Sequence, residues 1–222
     1  MTTQIDPGVK TTIHLMRHGE VYNPDGILYG RLPDFHLSEL GRKMAERGAE
    51  FFADRDVTAV FASPLDRAQE TAAPIAARLG VPVRTDGRLI EAGNFFEGKK
   101  FSVGDGVLKR PAVWAKLYNP FKPSWGEPYT EQVARMKAAM EAARDAAAGH
   151  EAVCVSHQLP VWISRLAAEH KHLWHDPRKR QCSLASVTSF SFIGEQLVGI
   201  EYHEPSKDLL PVKGTKKFVA GA

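Results

Sequence analysis

One short stretch constrains the fold and the chemistry of this chain more than any other. The run Thr11–Met16 is mostly β-branched or apolar and is short enough to be a buried strand. It ends abruptly in Arg17-His18-Gly19-Glu20, which supplies a cation, an imidazole, a glycine and a carboxylate. A buried strand that ends in such residues usually presents them at the carboxyl edge of an α/β sheet, where ligands bind. Arg17 suits phosphate or carboxylate, and His18 offers a nucleophilic nitrogen near neutral pH.

A second strand end combines a helix start with an arginine. Val57–Ala62 is an apolar run that predicts a strand, and Ser63 and Pro64 follow it as the predicted N-cap and first residue of a helix. Arg67 then falls one turn into that helix, close to the positive end of its dipole. Because a helix N-terminus already attracts anions, Arg67 is a candidate anion ligand. In isolation it could equally be a solvated helix residue.

Further candidates follow strands later in the chain. Ala152–Ser156 predicts a buried strand that ends in His157, and Glu91 lies shortly after a short strand predicted at residues 81–85. The strand ends of a doubly wound sheet gather along one edge. We therefore expect side chains from separate parts of the chain to surround one site: Arg17, His18, Arg67, Glu91 and His157.

The order of the predicted elements indicates an α/β protein. Besides these strands and the helix that starts at Pro64, the sequence predicts three further helices and a β-hairpin. The helices run from Ser38 to about Ala53, over Thr130–Ala148 and over about Val161–His170, and the hairpin pairs Ala185–Ile193 with Gln196–Tyr202. This alternation favours a three-layer α/β/α fold around a doubly wound, mostly parallel sheet. A length of 222 residues fits one domain over residues 1–222.

Three segments lie outside this regular pattern. Residues 1–10 are polar and contain Pro7-Gly8, which indicates a loose leader, and the polar, basic tail over residues 205–222 receives no predicted structure. Residues 99–127 are broken by glycine and proline and contain anchoring aromatic residues. We interpret them as an insertion with one short helix at about 110–118 that covers the site as a lid. The same aromatic residues could equally form a small satellite core.

Composition argues against several classes of function. A formal charge of +3 is a mild excess spread along the chain, so a basic pocket for an anionic small molecule accounts for it and nucleic acid is not expected as a partner. No apolar run approaches the length of a membrane span. The two cysteines, Cys154 and Cys182, predict reduced and partly buried thiols, which agrees with a cytoplasmic protein.

A group of histidines raises the question of a metal site. His170, His172 and His175 precede Asp176 and the basic triplet Arg178–Arg180 in a polar, turn-like stretch that lacks a matching set of carboxylates or cysteines. We therefore expect no metal there. The basic triplet is interpreted as solvated surface rather than as a nucleic-acid patch.

Together, the motifs at the strand ends resemble those of the histidine phosphatase superfamily, which includes the phosphoglycerate mutases. Arg17-His18-Gly19-Glu20 resembles the first signature of that family, and residues 63–72 match its second, Ser-Pro-Leu-x-Arg-Ala-x-x-Thr-Ala, residue for residue. Leu89-Ile90-Glu91 matches its Leu-x-Glu motif. His157 lies in a later signature that normally reads Ser-His-Gly, where Gln158 replaces the glycine. The resemblance implies a phosphoglycerate mutase-like fold.

This resemblance, which covers roughly residues 11–200, also implies a chemistry. His18 is expected to accept a phosphoryl group while neutral, so its other ring nitrogen should donate to a carbonyl or carboxylate. Glu91 is expected to protonate the leaving oxygen, unless it is only a structural counter-charge.

The expected phosphate ligands and the expected cofactor requirement follow from the same resemblance. The phosphate ligands are Arg17, Asn23, Arg67 and His157. No metal and no cofactor is expected, because the guanidinium groups supply the positive charge. Glu20 is expected to lie outside this group of phosphate ligands and to brace the loop or an arginine.

Three functions stay open for such a site. It can hydrolyse a small phosphorylated metabolite, or move phosphate within phosphoglycerate as cofactor-dependent mutases do. Those mutases usually carry Gly-Asn-Ser after the second histidine and two arginines in a longer insertion. This chain has Gln158-Leu159-Pro160 and only Lys109-Arg110, so we favour a phosphatase. A phospho-ligand binding module without turnover is the third possibility.

The oligomeric state is a separate question. An edge strand in the predicted hairpin would allow a homodimer.

Overall fold

The structure, a computed structural model, describes residues 8–99 and 126–210. In these ranges strands and helices alternate along the chain, as the sequence predicts for an α/β protein. The strands are β1 (Lys10–Arg17), β2 (Val57–Ala62), β3 (Val83–Thr85), β4 (Glu151–Ser156), β5 (Val187–Ile193) and β6 (Gln196–His203). The α-helices are α1 (Glu39–Phe52), α2 (Asp66–Leu79), α3 (Tyr129–Ala146) and α4 (Gln158–Ala168).

These strands form one sheet in the order β3-β2-β4-β1-β5-β6. Strands β3, β2, β4 and β1 are parallel to one another. The hairpin of β5 and β6 adds two strands beside β1, with β5 antiparallel to both β1 and β6. The central β1–β4 ladder ends with Arg17 beside Ser156. The carboxyl ends of β1, β2 and β4 therefore lie side by side at one edge, where ligands bind in such sheets.

The helices cover both faces of the sheet. α1 and α2 place Phe52 and Ile75 in one buried cluster, together with Met16 of β1. α3 places Met136 in a second cluster, which contains Leu15 of the same strand. Successive residues of β1 thus point to opposite faces, as a strand buried on both sides requires. The predicted three-layer α/β/α fold with a mostly parallel sheet is confirmed.

The loop after β1 packs closely against the first turn of α1. Ser38 is the N-cap, as predicted, since its Oγ accepts the backbone N–H of Gly41 at 3.0 Å and donates to Glu20 Oε2 at 2.6 Å. A Cβ on Gly41 would lie 2.0 Å from the carbonyl oxygen of Glu20, and a Cβ on Gly19 would lie 2.6 Å from that of Gly41. The two glycines therefore allow the loop backbone to contact the helix directly.

The start of α2 differs from the sequence prediction. The helix begins at Asp66 with Leu65 as its N-cap, so the prediction of Ser63 as N-cap and Pro64 as first helical residue is wrong. The Ser63 hydroxyl lies instead 2.7 Å from Nε2 of His157. The Ser63 hydroxyl keeps only a long local bond from the N–H of Leu65, at 3.4 Å, beside this shorter tertiary bond, and the helix starts later than the sequence predicts.

The start of α4 also differs from the prediction. The helix begins at Gln158, whereas the sequence predicted a start at about Val161. Pro160 is the third helical residue, where its missing N–H would have no partner within the helix. The proline therefore belongs to the first turn and does not delay the helix.

The segment after β6 is more ordered than predicted. Residues 205–210 were expected to lack structure, but Lys207–Leu209 forms a 3₁₀ turn. Leu209 and Leu210 pack against the buried cluster beneath α1 and α2. The prediction is wrong for these residues because an apolar pair within a polar tail contacts the core.

Several predictions fall on residues 1–7, 100–125 and 211–222, which lie outside the described residues. They concern most of the leader, the lid or satellite core, its short helix at 110–118 and the end of the tail. Within the described ranges, no helix combines the length and the apolar character that crossing a bilayer requires.

Gly41→Ala tests the contact between the loop and α1. Alanine normally stabilises a helix by about 1 kcal/mol over glycine, but overpacking costs about 1–3 kcal/mol. Because the new Cβ would meet the backbone of Glu20, we expect the free energy of unfolding in urea to fall by about 1 kcal/mol or more.

Gly87→Ala is the matched control for Gly41→Ala, since a Cβ there has no neighbouring atom within 4 Å. It should change stability by less than about 0.5 kcal/mol. A Gly41→Ala protein as stable as the wild type would contradict the proposed contact.

Candidate active site

His18 follows β1 and has one ring nitrogen free. The residue is fully buried, and its backbone N–H donates to the Ser156 carbonyl at 3.0 Å. Nδ1 lies 2.8 Å from the Gly19 carbonyl oxygen, so Nδ1 carries the proton and donates it there. Nε2 has no partner among the described residues. Burial, then the charges of Arg67 and Arg17, lower the pKa of His18 well below its usual value, which leaves Nε2 with a free lone pair.

His157 follows β4 and faces His18. The centroids of the two rings are 5.1 Å apart, with an angle of 62° between the planes. Ser63 Oγ accepts the N–H of Leu65 at 3.4 Å and lies 2.7 Å from His157 Nε2, so its hydroxyl can donate to that nitrogen. The ring proton is then on Nδ1, which is buried and unpartnered among the described residues. Burial and nearby His18 and Arg67 lower the pKa of His157 well below its usual value.

Two guanidinium groups flank the imidazoles. Arg67 is 1% exposed, and its Cζ lies 4.7 Å from the centroid of the Tyr29 ring. Its Nη2 donates to the Gly30 carbonyl. Arg17 donates Nη1 to the Cys182 carbonyl at 2.8 Å. Neither arginine has a carboxylate partner in the described ranges, and Nε of each is buried without a hydrogen bond there. Both charges are therefore available to an anion.

Glu91 supplies a buried carboxyl group to the same site. Its side chain is 3% exposed, and Oε1 accepts the N–H of Ala92 at 2.8 Å. Oε2 is buried and has no partner in the described part of the chain. Burial raises the pKa of Glu91, against the Ala92 bond and the positive charges of Arg67, Arg180 and Arg17. The raised pKa favours the protonated form, and Oε2 is the oxygen without a partner from which a proton could be donated.

Hydrogen bonds between the motifs hold these groups together. Thr71 Oγ1 accepts the N–H of Gly19 at 3.1 Å and donates to the carbonyl of Arg67 at 2.7 Å, which joins the first two motifs. Ser156 Oγ donates to the Leu89 carbonyl at 2.7 Å, which joins the end of β4 to the Glu91 segment. Motifs distant in sequence are thus fixed by single side chains.

A network that the sequence analysis missed holds the backbone at Glu91. Arg31 Nε donates to the Glu91 carbonyl at 2.6 Å, while its Nη2 donates to Glu127 at 2.9 Å. Arg135 pairs with the other oxygen of Glu127 at 2.7 Å and donates to the Arg88 carbonyl. Arg31 and Glu127 are 96 positions apart, so no local pattern could have shown this pair.

Two other residues from the sequence analysis have local partners. The Asn23 side-chain amide donates to the carbonyl of Ile27 at 2.8 Å and accepts the Ile27 N–H at 3.0 Å, so it joins the two ends of the turn over residues 23–27. The structure gives Asn23 no contact with the five residues above, and its role as a phosphate ligand stays a prediction. Glu20 braces the loop through Ser38, as described above.

Arg180 was missed as a residue of this region. Arg178 and Lys179 are exposed, but Arg180 is half-buried, so the interpretation of the triplet as solvated surface is wrong for this residue. Its Nε donates to His175 Nε2 at 2.8 Å and its Nη1 donates to Gln158 Oε1 at 3.1 Å. The glutamine in place of the family's glycine was the available signal.

One group of side chains in the described ranges has the spacing to hold a metal ion. Asp34, His36 and Asp66 each offer a ligand atom, and these atoms lie within 4.8 Å of one another. Asp34 and His36 are exposed, and His36 Nδ1 is bonded to Glu70. His175, from the histidine group of the sequence, is instead bonded to Leu173 and Arg180.

Comparisons with known proteins identify relatives of this chain. The chain is 59% identical over 197 residues to the uncharacterized protein Rv0525 of Mycobacterium tuberculosis, covering 89% of this chain and 98% of that one. It is 30% identical over 183 residues to a probable phosphoglycerate mutase, GpmB, of Yersinia pestis, covering 79% and 83%.

A solved structure, mycobacterial glucosyl-3-phosphoglycerate phosphatase Rv2419c with VO3, superposes with a TM-score of 0.67 at 26% identity, covering 86% of this chain and 96% of that one. The family model for the histidine phosphatase superfamily (branch 1) matches residues 13–203. By this match and by the relatives above, the chain belongs to the histidine phosphatase superfamily.

Proposed function

We propose that this protein is a phosphatase that hydrolyses small phosphate monoesters through a phosphohistidine on His18. The observation that carries the proposal is that, among the described residues, the neutral His18 has a free Nε2 beside two guanidinium groups without a carboxylate partner. A neutral imidazole can attack phosphorus, and the two cations can bind the phosphoryl oxygens while charge builds on them.

The first step transfers the phosphoryl group to the enzyme. The lone pair of His18 Nε2 forms the P–N bond while the ester P–O bond breaks, and Glu91 Oε2 gives its proton to the leaving oxygen. Paired N–H groups of Arg17 and Arg67 hold the non-reacting oxygens, and His157 Nδ1–H adds a donor. The proton stays on His18 Nδ1 throughout and is donated in a hydrogen bond to the Gly19 carbonyl oxygen, which stabilises the positive charge of the phosphorylated ring.

The second step returns the enzyme to its starting state. Glu91, now ionised, accepts a proton from a water molecule as the water oxygen attacks phosphorus. The P–N bond breaks, its electron pair returns to His18 Nε2, and phosphate leaves. The guanidinium groups supply the charge stabilisation for both steps, so the mechanism calls for no cofactor.

The comparisons support a phosphatase. The solved neighbour at 26% identity is a phosphatase that was determined with VO3, and vanadate is an analogue of phosphate. The 30% identical relative named as a probable phosphoglycerate mutase favours a second candidate, an isomerase that keeps the phosphoryl group on the enzyme between substrates.

Assays with 3-phosphoglycerate, with and without 2,3-bisphosphoglycerate, separate the two candidates. Release of inorganic phosphate without isomerisation supports the phosphatase. Isomerisation far faster than phosphate release supports the mutase. If the protein binds phosphate but forms no phosphohistidine, and neither isomerises 3-phosphoglycerate nor releases phosphate from it, it is a phospho-ligand binding module and the proposal fails.

His18→Ala removes the proposed nucleophile. We expect kcat/KM for p-nitrophenyl phosphate to fall at least about 10³-fold, because the facing imidazole of His157 has no free lone pair in this scheme: its Nδ1 carries the ring proton and its Nε2 accepts from Ser63. Intact mass at alkaline pH, where phosphohistidine survives, should show the phosphorylated wild type and no such species in the variant. His172→Ala, an exposed histidine, is the control and should retain full activity.

Labelled phosphate recovered on a residue other than His18 would contradict the assignment. So would a His18→Ala protein that keeps the activity of the wild type.

Glu91→Gln keeps the shape of the side chain and removes its acidic proton. We expect kcat/KM for glycerol 3-phosphate to fall about 10²- to 10⁴-fold, because its leaving group, an alkoxide, needs a proton. The value for p-nitrophenyl phosphate should fall much less, because p-nitrophenolate is a good leaving group. Burial raises the pKa of Glu91, so the proton is present at low pH and is lost as pH rises through that raised pKa. The wild-type kcat/KM should therefore fall on the alkaline side, and this decline should be absent in Glu91→Gln.

Glu131→Gln, at an exposed position on α3, is the matched control and should keep both the rate and the pH profile. If Glu91→Gln lowered kcat/KM equally for both substrates and left the pH profile unchanged, Glu91 would be a structural counter-charge.

A further inference from the structure

The arginines of this protein differ in how their charges are balanced. In the described ranges, the buried and half-buried arginines form ion pairs with carboxylates, with three exceptions: Arg17, Arg67 and Arg180. Arg31 and Arg135, for example, share Glu127. The mechanism above uses the first two exceptions to bind phosphate, and it leaves Arg180 without a role.

Arg180 is held by neutral groups. Nδ1–H of His175 donates to the Leu173 carbonyl, so Nε2 of the same ring is free to accept from Arg180 Nε. Burial lowers the pKa of His175, which keeps the ring neutral. Gln158 Oε1 accepts from Nη1. An arginine has five N–H donors, and these bonds use two, so Nη1 and Nη2 together keep three that the described residues do not use.

The anchors of Arg180 place it at the edge of the active site. Gln158 directly follows His157 in the chain, and its amide Nε2 lies 3.5 Å from the Cys182 carbonyl that also accepts from Arg17. Arg180 lies close enough to Glu91 for its charge to act on that carboxyl group, as the charges of Arg67 and Arg17 also do. The leaving group must lie near Glu91 to be protonated, so it must also lie near Arg180.

We propose that Arg180 is a specificity-determining residue that binds a carboxylate on the leaving group, so that the preferred substrates are phosphate esters of hydroxy acids. Side-by-side N–H groups on two terminal nitrogens fit a carboxylate, and one guanidinium balances its single charge. A second phosphate, with up to two negative charges, would leave charge uncompensated beside Glu91. This inference rests on the proposed function, because the position of the leaving group follows from the role of Glu91.

Gln158 acquires a role in the same arrangement. Its amide oxygen holds Arg180 and its amide nitrogen reaches the loop that holds Arg17. Glycine, the residue usual at this position in the family, has no side chain to make either bond. Gln158 is therefore a positioning residue for Arg180.

The test compares two substrates that differ only in the proposed contact. 3-Phosphoglycerate carries a carboxylate where glycerol 3-phosphate carries a hydroxymethyl group. We expect wild-type kcat/KM to favour 3-phosphoglycerate by about ten- to a hundredfold, the size of one charge-assisted hydrogen-bonded pair. Arg180→Met should bring that ratio close to 1, mainly by raising KM for 3-phosphoglycerate, and should leave glycerol 3-phosphate within about threefold.

Three further variants sharpen the comparison. Lys179→Met removes a neighbouring exposed charge and should leave the ratio unchanged. Arg180→Lys keeps the charge without the planar fork and should give an intermediate ratio. Gln158→Gly should lower the ratio in the same direction as Arg180→Met. A wild-type ratio near 1, or an Arg180→Met protein that keeps the wild-type ratio or loses both substrates equally, overturns the proposal.

Binding measurements keep this inference separate from the proposed function. Calorimetric titration of His18→Ala with each compound reports recognition without turnover. Tighter binding of 3-phosphoglycerate that is lost in His18→Ala/Arg180→Met supports the carboxylate contact even if the wild type releases no phosphate, in which case only the proposed hydrolysis fails. Equal affinity for the two compounds in His18→Ala overturns the contact even if hydrolysis is confirmed.

Discussion

The chemistry of this site depends on two guanidinium groups, that of the buried Arg67 and that of the half-buried Arg17, which have no carboxylate partner among the described residues. A buried charge of this kind is costly unless hydrogen bonds and a counter-ion stabilise it. Backbone carbonyls of Gly30 and Cys182 and the ring of Tyr29 provide part of that stabilisation. Burial, together with the positive charge of Arg67 and Arg17, lowers the pKa of both facing imidazoles, and a bound phosphate would neutralise that positive charge.

Holding two like charges close together requires a rigid surround, and single side chains provide it by linking distant segments. Thr71 joins the loop after β1 to α2, and Ser156 joins the end of β4 to the Glu91 segment. Glu127 binds two arginines that fix the backbone on either side of Glu91. Each link is buried or half-buried, where hydrogen bonds are least weakened by water. The position of the reacting groups is therefore set by contacts between the recognised motifs and by Arg31, Glu127 and Arg135, which lie outside them.

Ser63 and Arg180 illustrate where local rules fail. Serine before proline is a good helix start, yet the Ser63 hydroxyl bonds His157, 94 positions away, and α2 begins later. Arg180 lies in a basic run that is typical of a solvated surface, yet Gln158 and His175 turn it inward. In both cases a long-range polar partner outweighs a local preference, because a buried polar group must be satisfied wherever the partner lies in sequence.

The sequence by itself determined the α/β fold class, the alternation of strands and helices and the identity of the residues at the strand ends, because strand burial and helix periodicity are written in short windows. Only the tertiary structure decided which ring nitrogen of His18 is free, which oxygen of Glu91 can carry a proton and which arginines have no counter-charge. These properties depend on burial and on partners from other elements, such as Glu127 for Arg31 and Gln158 for Arg180. No window of a sequence contains both members of such a pair, so only folding brings them together.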